Sequence, residues 1–408
     1  MTDAFNTDLF AQRLSNVETS AIRELFKVLG QPGIISFGGG FPDPSSFDVQ
    51  GIAQAAQQAL VDHPVAALQY GATEGFEPLR AQLAALMASK GAAVEANELM
   101  VTTGSQQALD LIGKTLISPG DKVIVEGPTF LATIQCFRLY GAQLITAPVD
   151  GNGVDVDKLA ELIDEHQPKF VYLIPTFGNP SGATLSLERR KRLLNMAVQK
   201  RTLIVEDDPY GDLYFEQAPP PSLLALSAHV QGSRQWLVHS GSLSKNLSPG
   251  LRVGWMIAPA PLLAKAAMCK QFSDANTSTF AQATAAAYLA SGRLAKALPK
   301  MRSMYAKRAA CMCNALEREL GEAIRFVRPL GGLFVWAQLT GANGASTDSA
   351  ALAQKAIALG VAFVPGAPFF ANNPDHTALR LSFATMSEDN IEAGVLKLKA
   401  ALLGSSTV

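Results

Sequence analysis

The chain has 408 residues, with 34 Lys and Arg against 35 Asp and Glu, a formal net charge of −1, and 48% hydrophobic residues. A domain size of roughly 150 residues suggests two or three domains. A charge so near zero argues against an electrostatic nucleic-acid binder, which needs a basic excess or stripe, and high hydrophobicity with low net charge excludes a disordered chain.

Charged residues make up 17% of the chain, against about 25% in a typical domain. That suits a large chain that also buries surface in an oligomer. The four cysteines, Cys136, Cys269, Cys311 and Cys313, are too scattered for a disulfide framework. They read as reduced, buried thiols of a cytoplasmic protein. The N-terminal residues show no basic region followed by an apolar one, so no secretory signal is expected. No run of about 18 uncharged apolar residues exists, so no membrane span is expected.

In chain order, Ser20–Leu29 has the apolar spacing of a helix, at Ile22, Leu25, Phe26 and Leu29. Gly33 to Phe47 contains GGGFPDP and reads as an irregular loop whose backbone can approach a ligand. From about residue 51 to 258, short apolar runs alternate with helical stretches. Strands are expected at Lys122–Val125, Gln143–Ala147, Phe170–Ile174, Leu203–Val205, Trp236–His239 and Val253–Ile257. Helices are expected at Gln106–Ile117, Phe130–Leu139, Asp157–His166 and Leu187–Lys200. This alternation predicts an α/β fold, a mainly parallel sheet flanked by helices on both faces. Residues 260–320 are helical in pattern, and the basic run Lys296–Arg308 reads as a solvated helix face. Strands at Leu333–Gln338, Val361–Val364 and Ala378–Phe383, then a helix over Glu388–Leu402, predict a smaller α+β domain. The expected division is an N-terminal arm over 1–50, a large domain over 51–290 and a small C-terminal domain over 291–408.

Several motifs fail. Gly113-Lys114-Thr115 resembles the end of a phosphate-binding P-loop, but Ala108 replaces its required glycine. The five histidines never fall at H-x-x-x-H spacing, so no metal site is expected. No G-x-S-x-G elbow is present.

The informative segment is SGSLSKNLSPGLRVGW, Ser240 to Trp255, which follows an expected strand. It surrounds Lys245 with Ser242 and Ser244, then adds a Pro249-Gly250 turn, Arg252 and Gly254. A lysine amine that forms a Schiff base must be held near an aldehyde and be deprotonated when it attacks. Hydroxyls and a guanidinium supply donors for a phosphate, and a nearby cation lowers the lysine pKa. Gly104-Ser105-Gln106-Gln107 precedes a helix, where free backbone N–H groups make an anion site. Glu126-Gly127-Pro128-Thr129-Phe130, Asn179-Pro180-Ser181-Gly182 and Glu206-Asp207-Asp208-Pro209-Tyr210 each follow an expected strand. Arg380 lies inside the apolar run ALRLSFA, which is costly unless an anion pairs with it.

Together these segments resemble the signature of class I/II aminotransferases of fold type I, which use pyridoxal 5′-phosphate. The resemblance spans roughly residues 20–400 and implies a Schiff base on Lys245. It places Ser105, Gln106, Ser242, Ser244 and Arg252 around the phosphate, and Phe130 on the pyridine face, where a tyrosine is common. Asn179 and Tyr210 fall at the 3-oxygen and Asp207 at the ring nitrogen, with Asp208 as the local alternative. Arg380 and Asn179 fall at the substrate α-carboxylate. Tyr70, in LQYGATEG, would reach the phosphate of a neighbouring subunit, implying a homodimer with its active site at the interface. Lys245, Asp207 and Tyr210 carry the catalytic roles. Ser20, Arg23, Gly39 and Gly40 resemble the 2-aminoadipate and kynurenine aminotransferase branch, in which Arg23 pairs with a distal carboxylate or caps a surface helix. The implied activity is ping-pong amino-group transfer between an L-amino acid and a 2-oxo acid. Broad specificity is expected: 2-aminoadipate, glutamate, branched or aromatic amino acids. The alternatives are another pyridoxal phosphate reaction, such as β-elimination, or a non-catalytic aminotransferase-like regulator domain. No nucleic-acid or membrane partner is expected.

Overall fold

The computed structural model describes residues 9–14, 33–342 and 347–404. The helix expected over Ser20–Leu29, with Ser20 and Arg23, lies outside the described residues.

The strands are β1 (Ile35–Ser36), β2 (Leu99–Thr102), β3 (Lys122–Gly127), β4 (Gln143–Asp150), β5 (Gly153–Val154), β6 (Phe170–Leu173), β7 (Leu203–Asp208), β8 (Leu237–Ser242), β9 (Gly254–Ile257), β10 (Ile324–Phe326), β11 (Phe334–Leu339), β12 (Val361–Ala362), β13 (Val364–Pro365) and β14 (Ala378–Ser382). Eight form the central sheet in the order β2-β9-β8-β7-β6-β3-β4-β5. The inner pairs β4-β3-β6-β7-β8 are parallel, and the pairs at either end, β8-β9, β9-β2 and β4-β5, are antiparallel. Inner strands such as β6 (FVYL) are buried along their whole length, because helices cover both faces.

Strand alternation sends successive side chains to opposite faces. Tyr172, Val205 and Val238 stand in register on one face, with Asp207 beside Ser240. Leu173, Glu206 and His239 stand in register on the other. A separate apolar core packs each face.

The second sheet, β10-β11-β14-β13, is antiparallel. The single strand expected over Val361–Val364 is two: Val361–Ala362 pairs with β1 and Val364–Pro365 with β14. The fully buried Phe363 separates them. β1 itself falls in the stretch expected to be irregular loop. The helical stretch after residue 260 is three helices, Ala260–Asp274, Thr279–Ala290 and Arg293–Leu320. Among the described residues, no helix is long and apolar enough to cross a membrane.

Helix Leu187–Lys200 shows how local sequence sets an element. Ser186 caps its N-terminus by accepting from the Arg189 N–H. Glu188 lies in the first turn and Lys200 in the last, each favourable against the helix dipole. The helix delivers Arg190, which is fully buried. Its guanidinium donates to the carbonyls of Leu185, Pro175 and Pro221 and to the Thr176 hydroxyl, and lies 3.9 Å from Glu206. Glu206 also meets His239 Nδ1 at 2.8 Å and accepts from the Leu223 and Leu224 N–H groups. This cluster fastens the Pro175–Thr176 turn to the end of β7. Arg190→Met strands the Glu206 charge and several carbonyls, and is expected to destabilise the fold by about 3–5 kcal/mol, read from urea unfolding.

Candidate active site

The functional side chains converge at the carboxyl ends of the parallel strands, where open α/β sheets bind ligands. β7 ends in Glu206-Asp207-Asp208, and alternation turns Asp207 alone toward the Tyr172 face. Asp207 is buried, and its Oδ2 accepts from the Tyr172 hydroxyl at 2.8 Å. Its Oδ1 is buried without a partner. Burial pushes the carboxyl up to about 6, against the hydrogen bond from Tyr172. It therefore remains ionised at neutral pH and has one oxygen open to a cationic N–H. Tyr210, on the turn after β7, is buried near Asn179, and burial raises its hydroxyl pKa. Phe130 caps helix Leu131–Leu139 and packs on the same core as Tyr172 and Tyr210.

An anion site forms where helix Ser105–Leu116 begins. Gly104 precedes it with φ +75°, and no side chain caps the first N–H groups. A Cβ on Gly254 would lie 2.6 Å from the Gly104 carbonyl carbon, so only glycine lets β9 approach this turn. Arg252 reaches the Thr103 carbonyl at 3.2 Å. The hydroxyls of Ser242 and Ser244 are 2.9 Å apart. Behind the turn, the buried Lys270 binds Gln107 and Asp274, and Gln107 donates to Asp274. Gln107 is thus held from behind, and Gln106 stays exposed.

Lys245 Nζ donates to the Gly40 carbonyl at 2.6 Å and lies 5.8 Å from the Tyr210 ring centroid. Burial, then Arg380 and Arg252, lower its pKa to about 8. Arg380 lies mid-strand in β14, buried, with its guanidinium 4.2 Å from the Phe334 ring and 4.9 Å from Phe369. It donates to Asn179 Oδ1 and to the Gly38 carbonyl, each at 2.8 Å, and its Nε has no partner. Burial lowers its pKa to about 10.

The structure thus brings Lys245, Asp207, Tyr210, Asn179 and Arg380 together, with Gly38 and Gly40 reaching in by their carbonyls. Gly39 lies between those two. Ser105, Gln106, Ser242, Ser244 and Arg252 gather at the helix N-terminus. Asp208 points to the opposite face of the sheet. Tyr70 is 84% exposed, and Arg23 lies outside the described residues. Sequence reasoning missed Tyr172, whose place beside Asp207 depends on register. It also missed the side chain of Glu126, which accepts from the Ile174 N–H at 2.8 Å and is pushed up to about 7 by burial. Among the described residues, no His, Cys, Asp and Glu group is placed to hold a metal ion.

A cofactor bearing a phosphate, a carbonyl carbon and a protonated ring nitrogen finds a fitting group for each: the free helix N-terminus, the Lys245 amine and Asp207 Oδ1. Comparison with known proteins agrees. The chain matches the family "Aminotransferase class I and II" over residues 33–398. It is 39% identical to aromatic-amino-acid aminotransferase 1 of Thermococcus litoralis, over 95% of this chain and 93% of that one. Its fold resembles that of an α-aminoadipate aminotransferase of Thermus thermophilus complexed with N-(5′-phosphopyridoxyl)-L-leucine, with a TM-score of 0.89, 40% identity, and 97% and 98% of the two chains covered. It also resembles a multiple substrate aminotransferase of Thermococcus profundus, with a TM-score of 0.90, 37% identity and 97% of each chain covered. On this evidence the chain belongs to the class I and II aminotransferases.

Proposed function

We propose that the chain transfers an amino group between L-amino acids and 2-oxo acids by a ping-pong mechanism, with pyridoxal 5′-phosphate held on Lys245. Broad specificity, covering 2-aminoadipate, glutamate and branched or aromatic amino acids, is supported by the range of substrates its relatives are named for. The observation that carries this reading is the half-buried Lys245, whose amine faces a carbonyl and lies near Arg380.

When bound, the cofactor supplies a carbonyl carbon for amines and a protonated ring that accepts the electron pair left on the substrate α-carbon. Ser105, Gln106, Ser242, Ser244 and Arg252 would hold its phosphate, and Phe130 would line its ring. Asp207 Oδ1 would keep the ring nitrogen protonated, while Asn179 and Tyr210 would hold the 3-oxygen. Lys245, depressed toward neutrality, is readily available as the free amine. As the free amine, Lys245 would take the proton from the substrate α-carbon and carry it. Arg380 binds the α-carboxylate, which replaces the Gly38 carbonyl with a charged acceptor. Gly39 and Gly40 close over the substrate.

The site is completed by a second copy of the chain. Tyr70 is 84% exposed and Phe272 81% exposed. Their segments are stitched together by the Thr73 hydroxyl on the Ala275 carbonyl and the Thr279 hydroxyl on the Gln69 carbonyl. Large apolar side chains exposed on joined segments mark an interface.

The reading is tested by visible absorption of the protein reconstituted with pyridoxal phosphate. A visible band is expected, absent in Lys245→Ala. It should bleach on adding 2-aminoadipate, glutamate, leucine, phenylalanine or kynurenine, with pyridoxamine phosphate as product. Release of pyruvate and ammonia instead would establish elimination. Tyr172→Phe removes the donor to Asp207 Oδ2 and raises the carboxyl pKa further. Loss of a hydrogen bond to a charged group is expected to weaken cofactor retention about tenfold. The loss should grow as pH falls toward 6, as equilibrium dialysis will read. Mixed Tyr70→Ala and Lys245→Ala chains each lack one half of a shared site, and hybrids should restore about a quarter of wild-type activity if the dimer is symmetric. No recovery would place Tyr70 in its own subunit's site.

A further inference from the structure

The far face of the central sheet carries a cavity of about 530 Å³ whose lining shares only Ser242 with the residues assigned to transamination. Strand alternation directs Asp208 there, away from Asp207. Asp208 pairs in register with Gly241, and Gly241 with Trp255. The indole lies across Gly241, where a Cβ would stand 2.2 Å from the ring. Leu86, Lys90, Leu298 and Arg302 form another part of its wall.

The polar groups lining this cavity are incompletely answered. Trp255 is only 3% exposed, and its Nε1 is buried with no acceptor. Buried donors are nearly always paired. Asp208 accepts only the Gly211 N–H, at 3.0 Å, and no ion pair to it forms among the described residues. Lys90 is committed to Asp212 at 2.7 Å. Arg302 donates Nε to the Asp212 carbonyl and stacks on Tyr214 at 3.6 Å, with no carboxylate partner among the described residues. Asp208, at the start of the turn 208–212, and Arg302, which reaches the Asp212 carbonyl of that turn from helix Arg293–Leu320, therefore present an unpaired carboxylate and an unpaired guanidinium beside an apolar wall.

The geometry points to a second binding site in this cavity, for a free L-amino acid with an apolar side chain. Its ammonium pairs with Asp208 and its carboxylate with Arg302, with the Trp255 N–H in support. Its side chain packs on Leu86 and Leu298. A charged pair of opposite sign beside apolar surface complements a zwitterion better than it does an anion or a cation alone. The turn it meets is tied to the segment that carries Lys245, because Asp212 Oδ2 accepts from Asn246 at 2.7 Å and Asn246 adjoins Lys245.

The test loads the protein with N-(5′-phosphopyridoxyl)-L-leucine, which fills the proposed catalytic site, and then measures labelled L-leucine by equilibrium dialysis. Saturable binding of about one leucine per chain is expected, weakened at least about tenfold by Asp208→Asn and by Arg302→Met. Retention of the adduct by both variants reports that they fold. Absence of saturable leucine binding in the loaded wild type, as from a cavity holding only water, overturns the proposal. So does equal affinity in both variants. Failure to hold the adduct overturns the catalytic reading instead, and leucine is then scored on the unloaded chain with the same variants. Indole emission gives a measure independent of the charge variants: leucine should change it in the loaded wild type and not in Trp255→Phe. No change in the wild type overturns the site.

Discussion

Three consecutive carboxylates, Glu206, Asp207 and Asp208, end β7, and the pleat separates them onto two faces. Three adjacent charges at a buried strand end would repel each other if they shared one environment. Burial pushes Glu206 up, but His239 and Arg190 pull it below the ordinary carboxylate range. Asp207 meets one hydroxyl and keeps one oxygen open. Asp208 turns to the far cavity. The chemistry of the site and the stability of its back wall are thus consequences of one strand's alternation. A one-residue slip of β7 would send Glu206 toward the Lys245 side and leave Arg190 facing Asp207.

Much of this was legible locally. Helix Leu187–Lys200 carries its own cap and charge pattern, and its bounds follow directly from the residues. The lysine segment and the turns after β3, β6 and β7 are also local, because each needs its residues within a few positions. The contacts between them are not. Tyr172 reaches Asp207 across two strands, and Arg380 meets Asn179 and Gly38 from far along the chain. No spacing in the sequence encodes such pairs. The antiparallel strands β2 and β9 illustrate the same limit. Their composition does not state direction: β9 takes its direction from β8 nearby, and β2 takes its own only by pairing with β9 more than a hundred residues on. Val361–Val364 reads as one apolar run, yet Phe363 enters the core and the chain changes sheets there.

The cations of the site show how substrate choice follows from charge. Lys245 lies near Arg380 and Arg252, and in the chain alone all three face carbonyls: those of Gly40, Gly38 and Thr103. Neutral acceptors satisfy hydrogen-bond geometry but leave the positive charge unbalanced, and charge-assisted bonds are roughly twice as strong. An anion at Arg252 and another at Arg380 would each replace a carbonyl with a carboxylate or phosphate oxygen. Both would also stabilise the protonated form of Lys245 and so raise the pKa that the bare cations depress. A simple amine lacks the second anion. It would leave Arg380 on the Gly38 carbonyl. A 2-amino acid would displace that carbonyl through its carboxylate while presenting its amine. With Arg380 as the proposed carboxylate clamp, Arg380 and Gly38 would therefore select for a carboxylate beside the amine, whatever side chain the pocket accepts.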